Sequence, residues 1–320
     1  MKILKIMGII IVIILVVVTI LLIASFINHK NQLRKEAKEY PPPGSMVEVN
    51  NKNMHVYAEG EGDTTLVFMA GHGTSNPTLD FKPLWVRMTD KYRIAVVEKS
   101  GYGWSETSNS PRDIDTILEE TRKALEHSGE NGPYVLFPHS MSGLEAIYWS
   151  QKYPDEVKAI IGLDPTTPGS IELIPEPNKT QLYLMYFISR IGLSRFMPES
   201  EIGDNLPLMK SKELSEEDKN QYLAVFYRSA FTRDMLNEVN YLKDNAEIVA
   251  ENEVSINTPM YFFISDDQEV SGAGWKEALT NYLSKITIGE YMHLDTGHYV
   301  HYDKSDIIAK NAKAFLEEIK

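Results

Sequence analysis

Apolar residues along this chain fall into three patterns. The first is almost unbroken: residues 6–27 form a run of 22 positions interrupted only by Gly8, Thr19 and Ser25. As an α-helix rising about 1.5 Å per residue, such a run spans about 30 Å, the thickness of a bilayer's hydrocarbon core. Lys2 and Lys5 precede it as in a signal peptide, but a cleavable signal has an apolar stretch of about 7–15 residues closed by small residues. Here Ala24 and Ser25 sit inside Ile-Ala-Ser-Phe-Ile, with bulky neighbours where small ones are required. The run therefore predicts an uncleaved, single-pass membrane anchor over residues 1–28. Basic residues flank both ends, Lys2 and Lys5 before it and Lys30, Arg34, Lys35 and Lys38 after it. The short tail and signal-like order favour the tail inside and the body on the extracytoplasmic side. Residues 29–45, which include Tyr40-Pro41-Pro42-Pro43-Gly44, read as a stem, because consecutive prolines favour extended polyproline II.

The second pattern is short apolar runs of strand length, and the third is amphipathic stretches of helical period between them. Residues 46–50 and 54–58 flank Asn51-Lys52-Asn53 as a hairpin. Residues 65–70, 92–98, 133–138 and 157–163 suit buried parallel strands, and 259–265 and 286–294 repeat the pattern later. Residues 113–127, 144–153 and 305–320 read as helices. This alternation predicts an α/β domain over residues 46–320, with a mostly parallel sheet covered by helices on both faces. The rhythm breaks over residues 165–258, where helix-like patches such as 182–188 and 222–227 occur without a strand pair. They predict a helical lid inserted after a strand end, with Tyr183, Tyr186 and Phe187 lining an apolar pocket.

Composition then removes whole classes of chemistry. Of 320 residues, 43% are hydrophobic and 24% charged, the balance of a globular protein. The net charge is −13, and the first thirty residues hold three lysines and no acid, so the remainder is more acidic still. An acidic body argues against a phosphate-backbone partner, and no nucleic acid is expected. Cysteine is absent, which removes disulfides, thiolate metal sites and thiol nucleophiles. The eight histidines offer no convincing metal-ligand context, so no metal is expected.

The candidate chemistry centres on Pro138-His139-Ser140-Met141-Ser142-Gly143, which follows the apolar run 134–137 and opens a helical stretch. A serine at such a strand-to-helix turn is pushed into the open. Its Oγ then lies beside backbone N–H groups and a helix dipole able to hold an oxyanion. Here the sequence resembles the α/β-hydrolase family, whose elbow reads Gly-x-Ser-x-Gly; Pro138 and Ser142 replace the two glycines. Three further stretches resemble that family's loops and occur in its order. Gly71-His72-Gly73-Thr74 resembles the His-Gly turn that supplies an oxyanion N–H. Glu98-Lys99-Ser100-Gly101-Tyr102-Gly103-Trp104-Ser105 resembles the Asp-Arg-Pro-Gly-x-Gly-x-Ser loop, with Asp and Pro changed. Leu294-Asp295-Thr296-Gly297-His298-Tyr299 resembles the loop bearing the catalytic histidine. The resemblance covers roughly residues 47–320 outside the lid.

That resemblance implies an α/β-hydrolase fold and a serine hydrolase without a cofactor. Ser140 is then the nucleophile and His298 the general base, whose second nitrogen needs a carboxylate. The amides of Met141 and of Thr74 or Gly73 are implied as the oxyanion hole. His72 and His139 are expected to line the site, His293 to sit in a strand, and His301 to lie at the surface or pocket. The acid stays open. The family's usual place after the penultimate strand falls on Asp266-Asp267-Gln268-Glu269, one or two residues out of register. Gly162-Leu163-Asp164-Pro165-Thr166-Thr167-Pro168 instead resembles the Gly-Leu-Asp-Pro-Ala-x-Pro of pancreatic-type lipases. Asp266 and Asp164 stand level, with Asp267 third. An apolar lid and an anchor together suggest a hydrophobic acyl ester as substrate and a lipid bilayer as partner of the N-terminal helix. A proline-iminopeptidase-like peptidase is the rival enzyme, with Glu172, Glu176, Glu199 and Glu201 available to bind a free amino-terminus. A catalytically inactive, membrane-tethered binding module is the rival class, on the strength of Pro138, Ser142 and the misregistered acid.

Overall fold

The eight strand-length runs all become strands of one sheet. The computed structural model describes residues 2–198, 201–203, 206–252, 256–266 and 274–319. The strands are β1 (Ser45–Val49), β2 (Lys52–Glu59), β3 (Thr65–Met69), β4 (Arg93–Glu98), β5 (Tyr134–Pro138), β6 (Val157–Leu163), β7 (Met260–Ile264) and β8 (Gly289–His293). They lie in the order β1-β2-β4-β3-β5-β6-β7-β8, and β2 alone runs against the others. The order turns around at β3, so the C-terminal ends of the central strands open on a shared crevice.

The apolar runs are continuous because both faces of the central strands are covered. Leu66, Phe68, Val135 and Phe137 enter one core cluster, while Val67, Met69, Tyr134 and Leu136 enter the other. Helices α2 (Ile114–Ser128) and α3 (Ser142–Lys152) cover the second face, and α8 (Ser305–Glu318) covers the first. Asp113 caps α2 by accepting from Thr116 N–H, and Gly129 closes it in the left-handed conformation.

Helix α1 (Lys2–Glu39) runs unbroken through the apolar stretch and on through most of the segment expected to be an extended stem. That expectation is corrected. Residues 28–39 contain no glycine or proline, and nine of the twelve are Lys, Arg, Glu, Gln, Leu or Ala, so helix propensity carries on until the prolines stop it. The helix is long and apolar enough to cross a membrane, and its apolar side chains are exposed. Its last turns rest on the body: Arg195 makes a two-pronged bond to Glu36 (2.6 and 2.7 Å), and Trp104 Nε1 donates to Tyr40 O (3.3 Å).

The insertion after β6 is helical, as expected. It contains α4 (Lys179–Arg190), α5 (Glu216–Ser229) and α6 (Arg233–Glu251), and it buries its own cluster around Leu206, Leu208, Tyr222 and Phe226. Its far end departs from a simple lid over residues 165–258, because Ala246 and Val249 of α6 pack into the main core. Helix α7 (Trp275–Leu283) then follows β7.

Candidate active site

The turn between β5 and α3 is built to expose one side chain. Ser140 holds φ +54°, a left-handed conformation that costs a non-glycine residue about 1–3 kcal/mol and is kept where function or packing demands it. Neighbouring chains force the tightness. A Cβ on Gly143 would lie 2.3 Å from Thr166 O, and one on Gly71 would lie 2.8 Å from Ser140 Cβ, so both positions require glycine. The two departures from the family's elbow are accommodated. Ser142 is buried, with Oγ 2.7 Å from Met69 O and 2.9 Å from His139 O, so its hydroxyl joins the strand end rather than crowding it. Pro138 falls where the pairing of β5 with β6 lapses, between Leu136↔Ile160 and His139↔Leu163, so its missing N–H leaves no ladder bond unmade.

His298 follows β8, and its Nδ1 lies 2.6 Å from Asp164 Oδ2. Asp164 follows β6, is fully buried, and also holds φ +49°. Its Oδ1 accepts from the Ser265 N–H (2.9 Å) and from Trp275 Nε1 (3.0 Å). A carboxylate so bound is fixed in place and can align one imidazole tautomer. The residues around Ser140 touch both partners' loops. The Thr166 N–H donates to Ser140 O (2.8 Å), the His139 ring sits 4.6 Å from that of His298, and His139 Nε2 lies 3.2 Å from His298 O. Ser140, Asp164 and His298 thus stand at the C-terminal ends of β5, β6 and β8.

Asp164 is hydrogen-bonded to the imidazole, which sets it above Asp266 among the described residues. Asp266 turns its N–H to Thr296 O (2.9 Å) and its carbonyl to Lys276 Nζ (3.0 Å), contacts that brace the His298 loop. Asp267 and Glu199 lie outside the described residues. For the oxyanion hole, the Gly73 N–H is directed at the Tyr102 hydroxyl. Among the described residues the amides of Met141 and Thr74 donate to no protein group.

A cavity of about 500 Å³ opens beside this loop, lined by His72, Gly73 and Thr74 and by Tyr299 next to His298. Helix α4 contributes Leu182, Met185 and Ile188. This corrects the expected lining: Tyr183 and Phe187 point outward and are more than half exposed, and Tyr186 is not on the wall either. The same helix walls the cavity by its other face, because Leu182-Tyr-Leu-Met-Tyr-Phe-Ile is apolar all round and marks no inner side. His139 is buried beneath the site, and burial depresses its basicity well below the usual histidine range. His301 is also buried, against Phe81 and His139, rather than at the surface; burial lowers its pKa to about 3.

Two polar groups around the cavity carried no signal in the sequence. Asp80, buried at the cavity wall, accepts from the hydroxyls of Tyr222 and Tyr302, and burial raises its carboxyl to about 7. Behind the His-Gly turn, Glu238 of α6 accepts from the Tyr102 hydroxyl (2.6 Å) and lies 3.5 Å from both Lys99 Nζ and His72 Nδ1. Lys99 also donates to Glu145 of α3 (2.7 Å). Burial pushes the Glu238 carboxyl up, but Lys99, His72 and Arg112 outweigh it and hold it at about 2. One buried carboxylate therefore ties the insertion to the oxyanion turn. Only Lys99 had a visible place, at the family's arginine.

A family model described as alpha/beta hydrolase fold matches residues 71–188, which span the oxyanion turn, the elbow and Asp164. An uncharacterised protein, YbdG, of Bacillus subtilis (strain 168) is 34% identical over 308 residues, covering 93% of each chain. The epoxide hydrolase VrEH1 of Vigna radiata superposes with a TM-score of 0.67 at 22% identity, over 86% of this chain and 97% of that one. A loop variant of the haloalkane dehalogenase DbeA of Bradyrhizobium elkanii gives 0.61 at 14% identity, over 86% and 96%. The chain belongs to the α/β-hydrolase family.

Proposed function

We propose that this α/β hydrolase is a serine esterase acting on a hydrophobic carboxylic ester. The observation that carries the reading is the 2.6 Å bond from His298 to a fully buried Asp164, beside a serine held at φ +54°. Ser140 Oγ attacks the carbonyl carbon while His298 Nε2 takes its proton. Asp164 holds the proton on Nδ1, so Nε2 is left to act as the base. The N–H groups of Met141 and Thr74 receive the oxyanion. Collapse of the tetrahedral intermediate breaks the ester C–O bond, and His298 returns the proton to the departing alkoxide. Water, deprotonated by the same imidazole, then cleaves the acyl-enzyme. Position 140 bears an alcohol, which suits acyl transfer and not the carboxylate-nucleophile chemistry that opens epoxides or displaces halide.

The apolar lining from α4 and α5 supports a hydrophobic acyl group. Of the acids that a peptidase would use to hold an amino-terminus, Glu201 lines the cavity, whereas Glu176 is exposed and paired with Lys243. A fluorophosphonate probe tests the reading. Labelling of the folded protein that disappears in Ser140→Ala, with turnover of long-chain p-nitrophenyl esters over proline amides, is expected. A folded protein that takes up no probe would be a binding module instead.

A further inference from the structure

The geometry points to the outer face of the lid as a bilayer-docking surface, so that the substrate is an amphiphile drawn from the near leaflet past α4. This rests on reading α1 as a membrane span and the site as an esterase. Tyr183 is 58% exposed, Leu184 56% and Phe187 51% on one face of α4, and Phe196, in the turn that follows it, is 68% exposed. Large apolar side chains grouped this way on a water-facing surface mark a site that something apolar covers. The opposite face of the same helix, through Leu182, Met185 and Ile188, walls the cavity. One helix thus separates the exposed patch from the acyl pocket.

What covers the patch is set by where α1 meets it. Ser25 Oγ, inside the apolar run, donates to Ile191 O (2.8 Å), His29 rests on Gly192, and Arg195 reaches His29 Nδ1 (2.9 Å). Ser25 lies two residues from the end of the run, so at about 1.5 Å per residue Ile191 is held about 3 Å inside its boundary. Phe187 is one helical turn before Ile191, and Phe196 is five residues after it. When the run spans a bilayer, these side chains are carried to the depth at which interfacial helices bury their apolar face, about 5–10 Å into the headgroup boundary. Lys30, Arg34, Lys35 and Lys38, all exposed on α1 just past the run, fall at headgroup level and suit anionic lipids. The uninterrupted helix and the Arg195–Glu36 bond keep this height from drifting.

The test uses the full chain in proteoliposomes of phosphatidylcholine and phosphatidylglycerol containing, in separate preparations, a phospholipid spin-labelled near its headgroup, which reads the patch, or one spin-labelled deep in its acyl chain, which reads the anchor. The chain has no cysteine, so a single introduced one takes an environment-sensitive fluorophore cleanly. Phe187→Cys and Phe196→Cys report the patch, Ile14→Cys the anchor, and Asn131→Cys an exposed loop at the opposite end of the strands. Quenching at 187 and 196 at least twofold above that at 131 is the expected result. Quenching at 14 with none above the 131 level at 187 and 196 overturns the docked lid alone; none at 14 overturns the anchor with it. A blue shift at 187 and 196 that needs only detergent and rising protein concentration marks a contact between copies and also overturns it. No arm depends on turnover, so failure here is distinct from failure of the esterase reading.

Discussion

Asp164→Asn isolates the role of a single charge. Asparagine tolerates the left-handed backbone at φ +49°, and its amide oxygen can still accept from the Ser265 N–H and Trp275 Nε1. What changes is the edge facing His298. An amide NH2 there demands a lone pair on Nδ1, so the imidazole proton moves to Nε2 and the ring can no longer accept a proton from Ser140. In serine proteases this tautomer reversal lowers kcat on the order of 10⁴-fold, about 5 kcal/mol of barrier. The fold loses one charge-assisted bond of about 1.5–3 kcal/mol, a Tm drop of roughly 3–5 °C for a domain of this size. The assay is p-nitrophenyl ester turnover with a thermal melt alongside, on Asp164→Asn and Asp266→Asn in parallel. Expected is a near-complete loss of kcat for the first and, for the second, a smaller loss from a loosened His298 loop. A variant at 164 that keeps more than a tenth of wild-type kcat, or one at 266 that loses as much, refutes the assignment.

Two further outcomes follow from packing and from burial. Gly143→Ala places a methyl 2.3 Å from Thr166 O, backbone that cannot swing aside, so the loop carrying Asp164 must shift. Loss of ester turnover with the protein still folded is expected, and an active Gly143→Ala would show the elbow to be looser than described. His301 is buried and neutral, with its pKa lowered from 6.5 to about 3. The unfolded chain therefore binds a proton that the native state refuses, and stability present above pH 6.5 is lost as pH falls toward 3, by up to about 1.4 kcal/mol per unit. Melts from pH 7 to 4 should show a shallower decline in His301→Gln; an unchanged slope refutes the neutral assignment.

Much of the architecture was legible in the chain because it rests on local patterns. Strands buried on both faces must be apolar throughout, and a helix apolar enough to cross a bilayer carries its apolar residues in one long run, so both announce themselves in the sequence. The elbow was legible despite Pro138 and Ser142, since the tight turn constrains residue size and leaves four of its six positions recognisable. The continuation of α1 to Glu39 was also written locally, in a segment without helix breakers, but the prolines after it drew the reading toward an extended stem. The acid was a different kind of question. Asp164 and Asp266 both follow strands that end on one edge of the sheet, and sequence position alone does not rank them. Trp275, more than a hundred residues further on, helps to decide it by binding Asp164 and fixing its direction toward His298. The lid's facing was undecidable for a related reason. Residues 182–188 are apolar on every side, so helical period names no inner face; the cavity takes Leu182 and Met185 while Tyr183 and Phe187 are left outside. Glu238, Lys99 and Asp80 are ordinary charged residues until folding removes the water around them. Local pattern determines which segments are strand, helix or turn, because those depend on neighbours a few residues away. Tertiary structure alone decides which carboxylate meets which imidazole, because burial and direction are set by groups distant in the chain.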